Sequence, residues 1–120
     1  MVKDQVVECS FFIPIHPDRA LSDRDEHSAE IWQWLQDELY RRFRGGTSAP
    51  GVYKGFYEDP NTGERVGDES HRFIVALRTS QVNQLRSLLS MACTLFAQKC
   101  VYLSIAGKVE FIRASGDEEN

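Results

Sequence analysis

Val6-Val7-Glu8-Cys9-Ser10-Phe11-Phe12-Ile13-Pro14-Ile15 places Val7, Cys9, Phe11, Ile13 and Ile15 on one side of an extended chain, because successive strand side chains alternate in direction. The other side, carrying Val6, Glu8, Ser10, Phe12 and Pro14, is mixed. This pattern suits a strand in a sheet that is covered on a single face. His16-Pro17-Asp18-Arg19 ends the strand, since proline has no amide donor and restricts the residue before it. Farther along, Ile31, Trp34, Leu35, Leu39 and Phe43 recur at helical spacing. Ser22 as N-cap, Asp23, Asp25 and Glu26 in the first turn, and Arg41, Arg42 and Arg44 before a left-handed Gly45 predict a helix over residues 23–44.

Past a glycine-rich loop, residues 52–58 have the aromatic and β-branched character of a second strand. Asp59-Pro60-Asn61-Thr62-Gly63 is a turn, and Phe73-Ile74-Val75-Ala76-Leu77 a third strand whose start is hidden in the polar residues 64–70. Thr79 or Ser80 caps a second helix with a stripe of Val82, Leu85, Leu89, Ala92 and Phe96, widened by Leu88 and Leu95. Residues 100–105 alternate as a fourth strand; beyond Gly107, residues 109–112 either continue it or form a separate hairpin partner.

This order predicts an α+β fold, a ferredoxin-like βαββαβ split sandwich. Its four-stranded antiparallel sheet carries two helices on one face and has room for an extra C-terminal strand. Right-handed crossovers are expected to set the first and third strands side by side and parallel in the centre. Residues 1–114 read as a single domain and residues 115–120 as an acidic disordered tail.

A chain of 120 residues with 42% hydrophobic and 27% charged residues has the composition of one globular domain, which excludes a second catalytic domain and a disordered or collagenous chain. No apolar run approaches the roughly 20 residues of a membrane-spanning helix, and residues 1–8 lack an export signal. A net charge of -4 argues against a nucleic-acid partner. The odd set Cys9, Cys93 and Cys100 does not form a disulfide framework, so a cytoplasmic location is expected.

With the apolar strand positions facing the helices, the uncovered sheet face inherits Phe12, Tyr53, Tyr57, Arg72, Ile74 and Tyr102, a candidate interface or ligand face. Trp34 belongs to the helical core stripe, whereas Trp32 and Tyr40 lie on a neighbouring flank. With Arg41, Arg42 and Arg44 they form the candidate partner contacts. Lys54-Gly55-Phe56-Tyr57 matches the opening of an RNA-recognition signature, but the acidic Glu58-Asp59 and Pro60 break it. The arginine-glycine run at residues 41–46 follows a helix end, whereas a phosphate loop precedes a helix start. His16, His27 and His71 are scattered over a loop, an early helical turn and a strand edge. No catalytic, cofactor-binding or metal-ligating set is therefore assigned, and no cofactor is expected.

Trp34, Leu39, Phe43-Arg44-Gly45-Gly46-Thr47, the Gly55 strand and Phe96-Ala97-Gln98-Lys99-Cys100-Val101-Tyr102 together resemble small bacterial proteins of the DUF3574-like kind. The resemblance implies this fold; Arg44 interrupts the expected Phe-Gly-Gly-like turn, and no catalytic motif is carried over. The aromatic face without a catalytic constellation predicts a non-enzymatic, oligomerising regulatory or adaptor domain acting through protein–protein contacts, chiefly with itself. The alternative is a small-molecule-binding protein or cofactor-independent enzyme, with a pocket on the open face that includes Tyr53, His71, Arg72 or Tyr102.

Overall fold

In the computed structural model, which describes residues 4–115, the first alternating segment is strand β1 (Val6–Pro14). Cys9, Phe11 and Ile13 are fully buried, while Phe12 keeps partial exposure. Helix α1 (Ala29–Phe43) starts later than predicted, with Ser28 as N-cap accepting from the Ile31 amide at 3.3 Å. Residues 23–27 are held as a loop. His16 Nδ1 donates to the Asp25 carbonyl at 2.8 Å and His27 Nε2 to the Pro14 carbonyl at 2.9 Å. Ser22 instead caps a local turn, accepting from the Arg24 amide at 3.2 Å. At the other end Arg44, not Gly45, takes the left-handed conformation (φ 66°), and its amide donates to the Tyr40 carbonyl.

The remaining elements are β2 (Thr47–Ser48), β3 (Tyr53–Glu58), β4 (Arg65–Arg78), α2 (Val82–Leu95), β5 (Cys100–Ile105) and β6 (Lys108–Arg113). The sheet has six strands rather than four, in the order β2-β4-β1-β5-β6, with β3 also paired to β4. Every pairing is antiparallel. The central pair β1 and β4 is adjacent as expected but antiparallel, from Val6 opposite Arg78 to Pro14 opposite Ser70. The crossover through α1 relates β1 to β3, and β4, which returns from β3 through a hairpin, lies between those two strands and runs opposite to both.

Two added strands, β2 beside β4 and β6 beside β5, account for the larger sheet, and β4 itself is longer than predicted. β4 begins at Arg65, inside the polar stretch, because its first half pairs with β3 as a solvent-exposed ribbon that needs no apolar face. Asp59 Oδ1 closes the ribbon's turn by accepting from the Asn61 amide at 2.8 Å, and Gly63 sits at φ 72°. At the C-terminal side, β6 is a hairpin partner of β5 joined through Ala106 (φ 49°) and Gly107 (φ 87°). Positive φ at both central residues gives the turn the twist of the strands it joins.

Both helices cover one sheet face. Leu35, Leu39 and Phe43 of α1 and Val82, Leu85, Leu88, Leu89, Ala92 and Cys93 of α2 share a buried cluster with Cys9, Phe11, Phe73, Val75, Leu77, Val101 and Leu103. Phe11 and Phe73 stack with ring centroids 5.3 Å apart. Each such buried side chain contributes roughly 1.5–3 kcal/mol relative to exposure. Leu95, expected to widen the α2 stripe, is exposed. Thr79 and Ser80 do not cap α2 directly: they lie in a 3-10 turn (Thr79–Gln81) whose hydroxyls and Ser80 amide donate to the Asp4 carboxylate. Ser115 lies within hydrogen-bonding distance of Ser90, and the rest of the proposed acidic tail lies outside the described residues. Among the described residues no helix is long and apolar enough to cross a membrane.

Candidate functional site

On the uncovered face, the even-numbered residues of β1 meet their counterparts on neighbouring strands: Ser10 opposite Ile74, Phe12 opposite Arg72 and Pro14 opposite Ser70. Tyr53 of β3 is also opposite Ser70, and Tyr102 of β5 is opposite Phe111 of β6. This register builds an aromatic row. Phe12 meets Tyr53 and Tyr102 edge-on, with centroids 5.6 and 5.4 Å away, and Tyr102 meets Phe111 at 5.9 Å. The row floors a cavity of about 730 Å³. Small-molecule sites typically occupy about 300–1,000 Å³, so it has room for a small organic ligand.

The rest of the lining comes mainly from the β3–β4 ribbon and from loops beside the sheet. The β3–β4 ribbon contributes Tyr57 and Asp68, its turn contributes Asp59 and Asn61, the loop after β1 contributes Asp18, the approach to β5 contributes Gln98 and Lys99, and β5 itself contributes Cys100. Gly55 leaves room at the ribbon: a Cβ there would lie 2.6 Å from Asp68 Oδ1 and would displace that carboxylate. Without a side chain at Gly55, the Asp68 carboxylate can lean across β3. Asp18 is anchored by its amide, which donates to the Ala97 carbonyl at 2.8 Å, and its Oδ1 accepts from the Ala20 amide.

The field in this cavity is negative at Tyr57. Its phenol is pushed above the ordinary value, first by partial burial and then by the charges of Asp68, Asp18 and Asp59, with Cys100 adding to them. The lining sets three carboxylates, Asp18, Asp59 and Asp68, against the two ammonium groups of Lys54 and Lys99, and with the aromatic faces this acidic excess favours a ligand that carries positive charge. Among the described residues, no group of three or more His, Cys, Asp or Glu side chains is arranged to hold a metal ion.

Of the residues expected on this face, Phe12, Tyr53, Tyr57 and Tyr102 line the cavity. Arg72 and Ile74 share the face by register but lie outside the lining. His71, opposite buried Ile13, turns to the helix side, where its ring meets Trp32 at 5.1 Å. Trp32 is half-buried rather than on an outer flank, and also contacts His27 at 5.5 Å and Phe96 at 4.8 Å. Tyr40 is exposed on α1, while Arg41 and Arg42 pair with Glu38 at 2.7 and 3.0 Å. Arg44 closes the helix through its backbone amide and keeps its side chain exposed.

Asp18, Asp59, Asp68, Gln98 and Phe111 were not among the expected site residues. Asp18 and Asp59 read as loop and turn formers, and Asp68 sat in a stretch without apolar alternation. One signal was available for Asp68: once Tyr53 pairs with Ser70, Asp68 falls opposite Gly55, a strand position without a side chain.

No family model matches the chain, and no curated protein matches it. Two solved structures share its fold. One is a phage SAM lyase in complex with S-methyl-5'-thioadenosine, with a TM-score of 0.65 and 16% identity over 98% of this chain and 97% of that one. The other is a phage SAM lyase in its apo state, with a TM-score of 0.65 and 17% identity over 96% of each chain. These likenesses correct the expectation of a non-enzymatic oligomerising adaptor. The same fold occurs in an enzyme with a bound small molecule, and the aromatic face read as a protein interface is here the floor of a cavity.

Proposed function

We propose that this chain binds a small nucleoside-class molecule in the cavity on its open sheet face, and that S-methyl-5'-thioadenosine or its sulfonium parent SAM represents that class. The observation that carries the reading is the aromatic row Tyr53, Phe12, Tyr102 and Phe111 beneath a rim bearing Asp18, Asp59 and Asp68. The rings offer stacking surfaces for a planar base. The negative rim suits a sulfonium, whose positive charge the carboxylates and ring faces attract. The shared fold of a lyase bound to S-methyl-5'-thioadenosine supports the same class.

An enzymatic role without a cofactor fits this pocket. In a lyase step the substrate's own carboxylate forms a new C–O bond as the C–S bond breaks and its electron pair leaves with sulfur as a neutral thioether, so the reaction asks the protein chiefly to orient the substrate. The purified protein is to be incubated with SAM and the products separated by chromatography. Release of S-methyl-5'-thioadenosine above the spontaneous rate is expected for a lyase; saturable binding without turnover limits the role to binding. Absence of both removes the reading.

Three further readings accompany this one. The strand order β5-β1-β4-β3 supports a ferredoxin-like core extended by β2 and β6. The resemblance to DUF3574-like proteins stands beside it, and of its landmarks Gly55, Gln98, Lys99, Cys100 and Tyr102 line the cavity. A reducing, cytoplasmic setting suits Cys9, Cys93 and Cys100, all of which are thiols.

A further inference from the structure

Gln98 is an unusual wall residue, because it is a polar side chain with only 7% exposure in a cavity otherwise floored by rings. Its Nε2 donates to two backbone carbonyls, His16 O at 3.0 Å and Phe96 O at 2.9 Å. Both partners are carbonyl oxygens, which only accept, so the orientation of the amide is settled by chemistry. Its two N–H bonds are consumed. The carbonyl Oε1 has no protein partner among the described residues, yet no buried side-chain oxygen there is left both sealed from solvent and unpaired. Oε1 is therefore not sealed from solvent, and Gln98 is one of the residues that line the cavity.

We infer that Gln98 is a specificity-determining residue whose fixed Oε1 accepts a hydrogen bond from an exocyclic amino group on a planar base stacked over the aromatic row, selecting a 6-aminopurine over a 6-oxopurine. This rests on the nucleoside reading above and names the feature of the base that is read. The anchoring gives the selection its force. A glutamine free to flip its amide serves donors and acceptors alike, whereas flipping Gln98 would set its oxygen against the His16 and Phe96 carbonyls. Against a 6-oxo base, Oε1 instead meets another oxygen. The backbone supports this placement: the Gln98 amide donates to the Cys93 carbonyl at 2.8 Å, and Ala97 turns the chain at φ 50°.

The test is isothermal titration of the full chain with S-methyl-5'-thioadenosine and with its 6-oxo counterpart, S-methyl-5'-thioinosine, before and after Gln98→Met. The wild type is expected to prefer the amino form by roughly ten- to a hundredfold, the range of one lost hydrogen bond at a desolvated acceptor. Gln98→Met is expected to bring the ratio near one while leaving binding measurable. Equal wild-type affinities overturn the inference but leave the nucleoside class standing, as does a preference that survives Gln98→Met. Failure of the wild type to bind either compound removes both readings. Should Gln98→Met fail to fold, the Gln98 side-chain amide resonances of the wild type decide. They are expected to shift with the amino form and much less with the oxo form, and equal responses overturn the inference.

Discussion

Phe11 and Phe12 are neighbours in one strand, yet they belong to two different kinds of structure. Phe11 lies under the helices, fully buried and stacked on Phe73, within reach of a ring cluster that includes Trp32, Phe96, His27 and His71. Phe12 lies on the far face, edge-on to Tyr53 and Tyr102, and no helix covers it. Both faces of the sheet are thus aromatic. The difference is that the helix side is filled by protein, whereas the open side leaves about 730 Å³ between its rings and its acidic rim. Ring content alone therefore does not tell core from site; what closes over the rings does.

The sharpest way to break this comparison is to truncate the two neighbours separately. Phe11→Ala is expected to cost about 3–5 kcal/mol in urea unfolding, because a cavity opens in a region that cannot collapse. Phe12→Ala is expected to cost about 1 kcal/mol or less and to weaken nucleoside binding by about tenfold or more, from lost stacking. Similar stability losses for the two variants would contradict the division of the sheet into a packed side and a ligand side.

A smaller effect is expected at Gly55, where the ribbon has been shaped around a carboxylate. Gly55→Ala places a methyl 2.6 Å from Asp68 Oδ1 and forces that side chain to move. Stability is expected to change by about 1 kcal/mol or less, while affinity for a cationic nucleoside falls more than affinity for a neutral one. Parallel titrations with SAM and S-methyl-5'-thioadenosine check this, and equal losses for the two ligands would remove Asp68 from the charge-selecting rim.

The faces also differ in their response to acid. On the helix side, burial lowers the pKa of His27 below its ordinary 6.5, with the neighbouring His16 charge adding to the shift and the bond to Pro14 opposing it. The unfolded chain binds this proton more readily than the folded one. The contribution of His27 is therefore complete above pH 6.5 and is lost as the pH falls through that value toward the lower folded one. Urea midpoints between neutral and mildly acidic pH are expected to decline for the wild type and to decline less for His27→Gln. An unchanged slope in the variant would assign the dependence elsewhere.

The elements and the floor of the site were legible because each rests on a simple period. Alternation in β1 and β5 separated Phe11 from Phe12 and Leu103 from Tyr102, and the helical spacing found Leu35, Leu39, Leu85 and Leu89. The walls carry no such period. The ribbon half of β4 faces solvent, so its pairing is held by backbone bonds and turn chemistry that leave no apolar pattern. Trp32 looked outward on the helix because its cover, His27, arrives from a loop that the acidic stretch disguised as a first helical turn. Gln98 depends on the His16 carbonyl, 82 positions away, and only the folded chain brings the two together.

The central claim is that the open face, and not the helix side, receives the ligand. Its most direct test is a side-chain NMR titration of the full chain with S-methyl-5'-thioadenosine. The account predicts saturable shifts at the rings of Phe12, Tyr53, Tyr57 and Tyr102, while the Leu35, Leu85 and Leu89 methyls stay in place. No saturable change, or changes centred on those methyls, would contradict it.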